Sequence, residues 1–206
     1  MGLADRPPRA VPPAPAPDEA FLLARARQGD LSAFEEVVRR HQQRVYATAL
    51  RIVRSHDVAD DVAQEAFVRA WRSLERFDPG RPFAPWVCRI AANLAVNHVR
   101  SPRAREEGLP EGHDETRASA PDPLARVLDA EASRVLDEAV AALPVEQRAV
   151  FVLRAHEELS YDEIAEALGV NPGTVMSRLF RARERLARAL RPYLGDAAVR
   201  KKGGAS

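Results

Sequence analysis

The segment 159–185 constrains the fold of this chain most strongly, because it has the pattern of two helices joined by a tight turn. Ser160 is followed three residues later by Glu163, a capping box that marks the start of a helix. Gly169 is typical of the residue just past a helix end, and Asn171, before a proline, is typical of the next helix start. Two helices joined by so short a turn predict a helix-turn-helix, whose second helix enters the major groove of DNA.

Charge is unevenly distributed around this turn. Residues 171–192 carry six arginines and one glutamate, whereas residues 144–170 carry six acidic residues and two arginines. The positive charge therefore lies on the second helix, where it would meet DNA phosphates. An ordinary solvated helix with arginines on its exposed face is the alternative, and the capped turn in front of this helix favours DNA binding.

Composition excludes several classes of protein. The 206-residue chain has one cysteine, Cys88, which we expect to be a buried small apolar side chain, so an internal disulfide and a cysteine-cluster zinc site are excluded. Its five histidines lack metal-ligand spacing, and neither a phosphate-binding loop nor a nucleophile arrangement occurs. No apolar run is long enough to span a bilayer or to form a signal peptide. We expect a cytoplasmic, non-enzymatic protein without cofactors and without direct membrane insertion.

Helical periodicity divides the chain into two units, and no alternating strand pattern occurs. The first unit, residues 18–100, contains four predicted helices, the last three of them over residues 31–53, 55–76 and 86–100. The second unit, residues 128–193, contains the helix-turn-helix. The prediction is an all-α fold of two small helical domains joined by a flexible linker. The large apolar side chains that we expect in the core, besides the aliphatic ones at helical spacing, are Phe67, Val68, Trp71, Trp86, Leu179 and Leu186.

Three further segments are expected to be disordered or flexible. Residues 1–17 are rich in proline, and residues 194–206 form a basic tail. Residues 101–127 form a linker in which positions 106–122 hold six acidic residues and one arginine. The linker either imitates nucleic acid through its charge or is a soluble tether.

Two parts of the chain resemble bacterial RNA polymerase sigma factors. Residues 59–71, Ala-Asp-Asp-Val-Ala-Gln-Glu-Ala-Phe-Val-Arg-Ala-Trp, and residues 86–100 resemble region 2 of that family. Residues 143–151 and 172–183 resemble region 4. The order and spacing of these segments agree with the family, and a short linker stands where larger sigma factors have a third region. The chain therefore resembles the extracytoplasmic-function (ECF) class.

The resemblance implies an alternative sigma factor that binds core RNA polymerase, recognises −35 and −10 promoter elements and promotes DNA melting. It implies contacts with the clamp of the largest subunit and with the flap region, and control by an anti-sigma factor in a stress or envelope-signal response. The residues implied to bind core polymerase are Asp60, Asp61, Gln64 and Glu65. Complementation of the helix dipole is an alternative role for Asp60, whereas Gln64 matches a family contact position.

The proline-studded segment 77–85 and the helix after it are implied to engage the −10 element, where a base leaves the stack and is held in a pocket. The implied contact residues are Phe77, Arg81, Ile90, Asn93 and Asn97. The two asparagines are four residues apart and share a helix face, and amides suit base edges because they donate and accept. A helix-capping or interhelical hydrogen bond is the alternative for Asn93. Residues 76–105 carry six arginines and one aspartate, a track suited to single-stranded DNA.

The second helix of the helix-turn-helix is implied to read the −35 element. The implied contact residues are Thr174, Met176, Ser177, Arg178, Phe180, Arg181 and Arg183. Thr174 and Arg178 are expected to hold phosphates, and arginine can form bidentate bonds to guanine. Phe180 either touches a thymine methyl group or packs against the protein.

Two other functions remain open at this stage. A transcription regulator that binds DNA without polymerase would use the same second unit, but it gives no reason for residues 59–71. A decoy or interaction module that binds anti-sigma factors would be favoured by loss of the DNA-contact residues, and here they are present.

Overall fold

The computed structural model describes residues 18–101 and 134–192, and within these ranges every regular element is helical. The first unit consists of α1 (Glu19–Arg27), α2 (Leu31–Val53), α3 (His56–Arg72), a 3₁₀ turn (Leu74–Arg76) and α4 (Phe83–Arg100). The second unit consists of the helical residues 134–141 (α5), followed by α6 (Val145–Ala155), α7 (Tyr161–Leu168) and α8 (Pro172–Leu190). The predicted proline-rich arm, nearly all of the linker and the basic tail lie outside the described residues.

The local signals around the helix-turn-helix are confirmed. The backbone N–H of Glu163 donates to Ser160 Oγ at 3.2 Å, and Glu163 Oε2 accepts from the Ser160 N–H at 2.9 Å. Gly169 ends α7 in the left-handed conformation, with φ of 63°, which glycine adopts without a steric penalty. Asn171 Oδ1 accepts from the Thr174 N–H at 2.8 Å, so the asparagine caps α8.

Two helix boundaries in the first unit differ from the prediction. The fourth helix begins at Phe83 and not at residue 86, because Pro85 lies in the first turn, where its missing N–H leaves no acceptor unsatisfied. The third helix ends at Arg72, before the predicted position 76. Ser73 Oγ donates to the Arg69 carbonyl at 2.7 Å, and the chain then tightens into a separate 3₁₀ turn.

The core of the first unit forms around α2, which packs against α1, α3 and α4. Val37, Val45 and Ile52 of α2 are fully buried, and each buried side chain of this size contributes roughly 1.5–3 kcal/mol. Phe67 is buried as predicted, and Trp71 and Trp86 pack against the core while remaining half-buried.

The prediction that Val68 belongs to the core is wrong. Its side chain is 42% exposed. The buried stripe of α3 recurs every three or four residues, and position 68 lies off that stripe. The members of the stripe are Ala59, Val62, Ala63, Ala66, Phe67 and Ala70.

The two helical units pack directly on one another. Helix α6 contacts α2 and α4, and α7 contacts α4. One continuous apolar cluster extends from the first unit into α6, α7 and the buried side of α8. Within the described ranges, no helix is both long enough and apolar enough to cross a membrane.

Candidate polymerase and nucleic-acid interface

The four residues predicted to bind polymerase lie on the outer side of α3. Asp60, Asp61 and Gln64 are exposed. Glu65 is half-buried, and its Oε1 accepts from Arg69 Nε at 2.7 Å. The buried stripe of α3 holds the opposite side of the helix against α2 and α4, so that two carboxylates and an amide are directed to solvent at helical spacing.

The segment between α3 and α4 is held by a cluster of aromatic rings. The ring centroid of Phe77 lies 5.6 Å from that of Phe83 and 5.0 Å from that of Trp86. Phe77 is 3% exposed and Phe83 is fully buried, so neither ring presents a face to solvent in this structure. Asp78 Oδ1 accepts from the Gly80 N–H at 2.9 Å, which tightens the turn and leaves Arg81 exposed.

The two asparagines of α4 are joined to each other and to the second unit. Asn97 Nδ2 donates to Asn93 Oδ1 at 2.6 Å, which confirms that the two amides share one helix face. Asn93 Nδ2 donates to the Ala167 carbonyl oxygen at 2.6 Å. The interhelical hydrogen bond considered for Asn93 is therefore present. Ile90 is half-buried beside Asn93, in a groove that Glu166 and Ala167 of α7 cover from one side.

Five of the seven predicted contact residues of helix α8 are exposed. Val175, Leu179, Ala182 and Leu186 form the buried stripe that holds α8 against the rest of the second unit, and the core prediction for the two leucines is confirmed. Met176 is 51% exposed and Phe180 is 64% exposed, so Phe180 does not pack into the protein. The other exposed residues of the predicted set are Ser177, Arg181 and Arg183, and the half-buried ones are Thr174 and Arg178.

Two polar side chains at the start of α8 are already engaged by neighbouring groups. Thr174 Oγ1 donates to Asn171 Oδ1 at 3.0 Å, and Ser177 Oγ donates to the Thr174 carbonyl at 3.0 Å. Both hydroxyl oxygens retain acceptor capacity.

Burial shifts the pKa values of Cys88 and Arg148. It raises the pKa of the Cys88 thiol to about 12, with a further contribution from the nearby Glu157 carboxylate. This thiol remains protonated, which confirms a buried apolar role and provides no reactive thiolate. Burial and the neighbouring Arg54 lower the pKa of Arg148 to about 10. Among the described residues, no group of three His, Cys, Asp or Glu side chains is placed to hold a metal ion.

A buried carboxylate between the two units was not identified from the sequence. Glu157 is 4% exposed. Its Oε1 accepts from Thr48 Oγ1 at 2.9 Å and its Oε2 accepts from Arg44 Nε at 2.9 Å, both from α2. The opposite charges of residues 144–170 and 76–105 are a sequence signal for contact between the units, but they do not select Arg44 or Thr48 as the partners of Glu157.

Comparison with known proteins assigns both units to one family. Residues 37–106 match the model of sigma-70 region 2, and residues 133–186 match the model of sigma-70 region 4. The chain is 40% identical over 168 residues to the ECF RNA polymerase sigma factor SigE of Mycolicibacterium smegmatis. This alignment covers 81% of this chain and 65% of SigE. The chain is also 36% identical over 185 residues to the RNA polymerase sigma-H factor of Pseudomonas aeruginosa. That alignment covers 85% of this chain and 95% of the sigma-H factor.

A solved structure shows the same fold. The chain resembles the sigma factor RpoE of Bartonella quintana, determined in complex with the anti-sigma factor NepR, with a TM-score of 0.56 and 27% identity. The similarity covers 77% of this chain and 96% of RpoE. The two matched regions, their order and the near-complete coverage of a relative at 36% identity lead to one conclusion. This chain belongs to the ECF class of RNA polymerase sigma factors.

Proposed function

We propose that this protein binds core RNA polymerase and directs it to a set of promoters by contacting their −35 and −10 elements. The observation that carries the proposal is the exposed surface of α8, where Met176, Phe180, Arg181 and Arg183 project away from the stripe that anchors the helix. In the family to which the chain belongs, the equivalent unit is region 4. The protein itself makes and breaks no covalent bond in this scheme, because nucleotide addition belongs to the polymerase.

Recognition at −35 would place α8 in the major groove. Arg181 and Arg183 are both exposed. A single arginine can donate two parallel hydrogen bonds to the edge of one guanine. Phe180, directed to solvent, can contact a thymine methyl group. Thr174 and Arg178, which are half-buried, would position the helix through phosphates.

Opening at −10 would use α4 and the turn before it. Asn93 and Asn97 form one polar face, and the aromatic cluster of Phe77, Phe83 and Trp86 stiffens the turn beside it. A stiff pocket loses little entropy when it receives an unstacked base. Phe77 would act mainly by supporting this turn, since its ring is buried.

Polymerase binding would use the exposed side of α3. Asp60, Asp61 and Gln64 offer acceptors that suit arginine side chains on a clamp surface. The flap region of the polymerase would bind the second unit. The two units of this chain would then be separated when they are bound to the polymerase. Because the structural relative RpoE was solved with an anti-sigma factor, we further propose that such a partner controls this protein.

Run-off transcription tests the proposal. Purified core polymerase is incubated with and without the full chain on a library of promoter fragments, and the transcripts are sequenced. Transcripts that require the protein and share upstream elements are the expected result. Absence of transcripts, together with binding of the chain to duplex DNA, would contradict the proposal and favour a regulator that works without polymerase.

A further inference from the structure

The acidic side of the second unit lies against the basic side of the first. Four of the six acidic residues in segment 144–170 form ion pairs with arginines of α2, α4 and the turn before α4. The pairs are Arg44–Glu157 at 2.9 Å, Arg81–Glu163 at 3.6 Å, Arg100–Glu146 at 3.0 Å, and Arg89–Glu166. Three of these arginines lie within residues 76–105, the basic track whose charge suits single-stranded DNA.

The amide contact lies at the centre of the same interface. The Ala167 carbonyl, near the C-terminal end of α7, accepts from Asn93 Nδ2. This end of a helix carries partial negative charge. Three arginines of the basic track and the Asn93 amide are therefore engaged by carboxylates and by a carbonyl oxygen of the second unit.

Glu157 distinguishes this interface from a chance contact between charged surfaces. Its carboxylate is almost fully buried, and both of its side-chain partners, Thr48 and Arg44, belong to the other unit. Burial of a carboxylate is unfavourable unless it is hydrogen-bonded and paired. The contacts that satisfy Glu157 are therefore formed only when the two units are packed together.

We infer that the second unit masks the −10 surface of its own chain, and that Glu157 is the latch that holds this closed state. The inference rests on the proposed function for the identity of the masked surface. In the closed state, α6 and α7 occupy the face of α4 that would receive the melted strand. Separation of the units removes Glu157 from Thr48 and Arg44, releases Asn93 from Ala167 and exposes the arginines.

A distance measurement on the full chain tests the latch without polymerase or promoter. Spin labels are placed at Arg72→Cys in α3 and Arg185→Cys in α8, two exposed positions. Cys88 is replaced by alanine in every variant, because its thiol lies beside Thr48 and Glu157 and would be uncovered when the units separate. Double electron–electron resonance then gives the distance between the units. We expect one narrow distance for the otherwise unchanged chain and a longer, broad distribution for Glu157→Lys, which sets an ammonium against Arg44.

The matched control is Glu158→Lys, the same charge change one residue along. The Glu158 side chain is exposed, and its positive φ of 57° is equally demanding for glutamate and lysine. We expect this variant to keep the narrow distance. The exchanged pair Arg44→Glu with Glu157→Lys should restore it, and circular dichroism of each variant checks that the helices are intact. If Glu157→Lys does not fold, Arg44→Glu, at an exposed position, takes its place, because it sets a second carboxylate against Glu157.

Binding of a fluorescein-labelled single-stranded DNA of mixed sequence gives the second readout. Fluorescence anisotropy should show Glu157→Lys binding roughly tenfold more tightly than Glu158→Lys, since loss of a buried charge pair strongly favours the open state. A broad distance in the unchanged chain, an unaltered distance in Glu157→Lys, or equal opening by Glu158→Lys would each overturn the latch. A closed distance combined with failed run-off transcription would instead refute the proposed function and leave closure standing.

Discussion

Asn93 of α4 donates its amide hydrogen to the backbone carbonyl of Ala167, 74 positions later in the chain, at a distance of 2.6 Å. Asn93 Oδ1 meanwhile accepts from Asn97. Both polar atoms of the side chain are therefore engaged within the protein. A role for this amide at the −10 element requires that α7 first move away, so that promoter recognition and packing of the two units compete for one side chain.

Replacement of Asn93 by alanine should impair promoter opening more than initial promoter binding. The amide is proposed to hold an unstacked base, which exists only after melting begins. Permanganate reactivity of −10 thymines should fall in complexes with the Asn93→Ala protein, while retention of duplex promoter stays close to that of the original. A template with a pre-opened −10 bubble serves as the control. Unchanged permanganate reactivity would exclude this role for Asn93.

Replacement of Arg181 by alanine should weaken binding to the −35 element by about 1–3 kcal/mol and relax its sequence preference. Arg181 is exposed on α8 and is proposed to contact a base edge. Arg188→Ala, at an exposed position two turns further along the same helix, removes the same charge and should have a smaller effect. Competition binding with −35 and random duplexes at one salt concentration measures both. Equal losses on the two duplexes would show that Arg181 contacts phosphate only.

Replacement of Gly169 by alanine should destabilise the second unit by about 1–2 kcal/mol. A Cβ atom at this position would meet nothing within 4 Å, so the effect comes from the left-handed backbone, with φ of 63°. Gly169→Asn should be milder, because asparagine tolerates this conformation better. Chemical denaturation followed by circular dichroism compares the two. A loss as large for asparagine as for alanine would indicate a cause other than backbone conformation.

Stability should fall at acidic pH in part through Asp30, which caps α2. The hydrogen bond from Ser32, helped by that from the Ala33 N–H, lowers the pKa of Asp30 from 3.8 to about 2. The unfolded chain therefore binds the proton more tightly, and the contribution of Asp30 is complete above pH 3.8 and is lost as the pH falls towards 2. Thermal unfolding over this range should be less pH-dependent in Asp30→Asn, which retains a capping side chain. Identical pH profiles would contradict the assignment.

The order of the helices and the exposed surface of α8 could be predicted from the amino-acid sequence. The caps at Ser160, Gly169 and Asn171 depend on hydrogen bonds or backbone angles within a few residues, so their pattern could be read directly. The exposed face of α8 followed from helical spacing, because a stripe that packs Leu179 and Leu186 into the protein directs the residues on the opposite side of the helix towards solvent. The family resemblance identified the remaining candidate residues.

Which of these surfaces are covered could be learned only from the packing of the helices. Glu157 and Thr48 are 109 positions apart, and nothing in the pattern around either residue selects the other as its partner. The same holds for Asn93 and Ala167, and for the contact between the rings of Phe77 and Trp86. Local patterns reveal charge and periodicity, whereas burial depends on which helix faces meet across the chain. Packing of these faces brings an acidic segment and a basic segment, which are separate in sequence, into one interface.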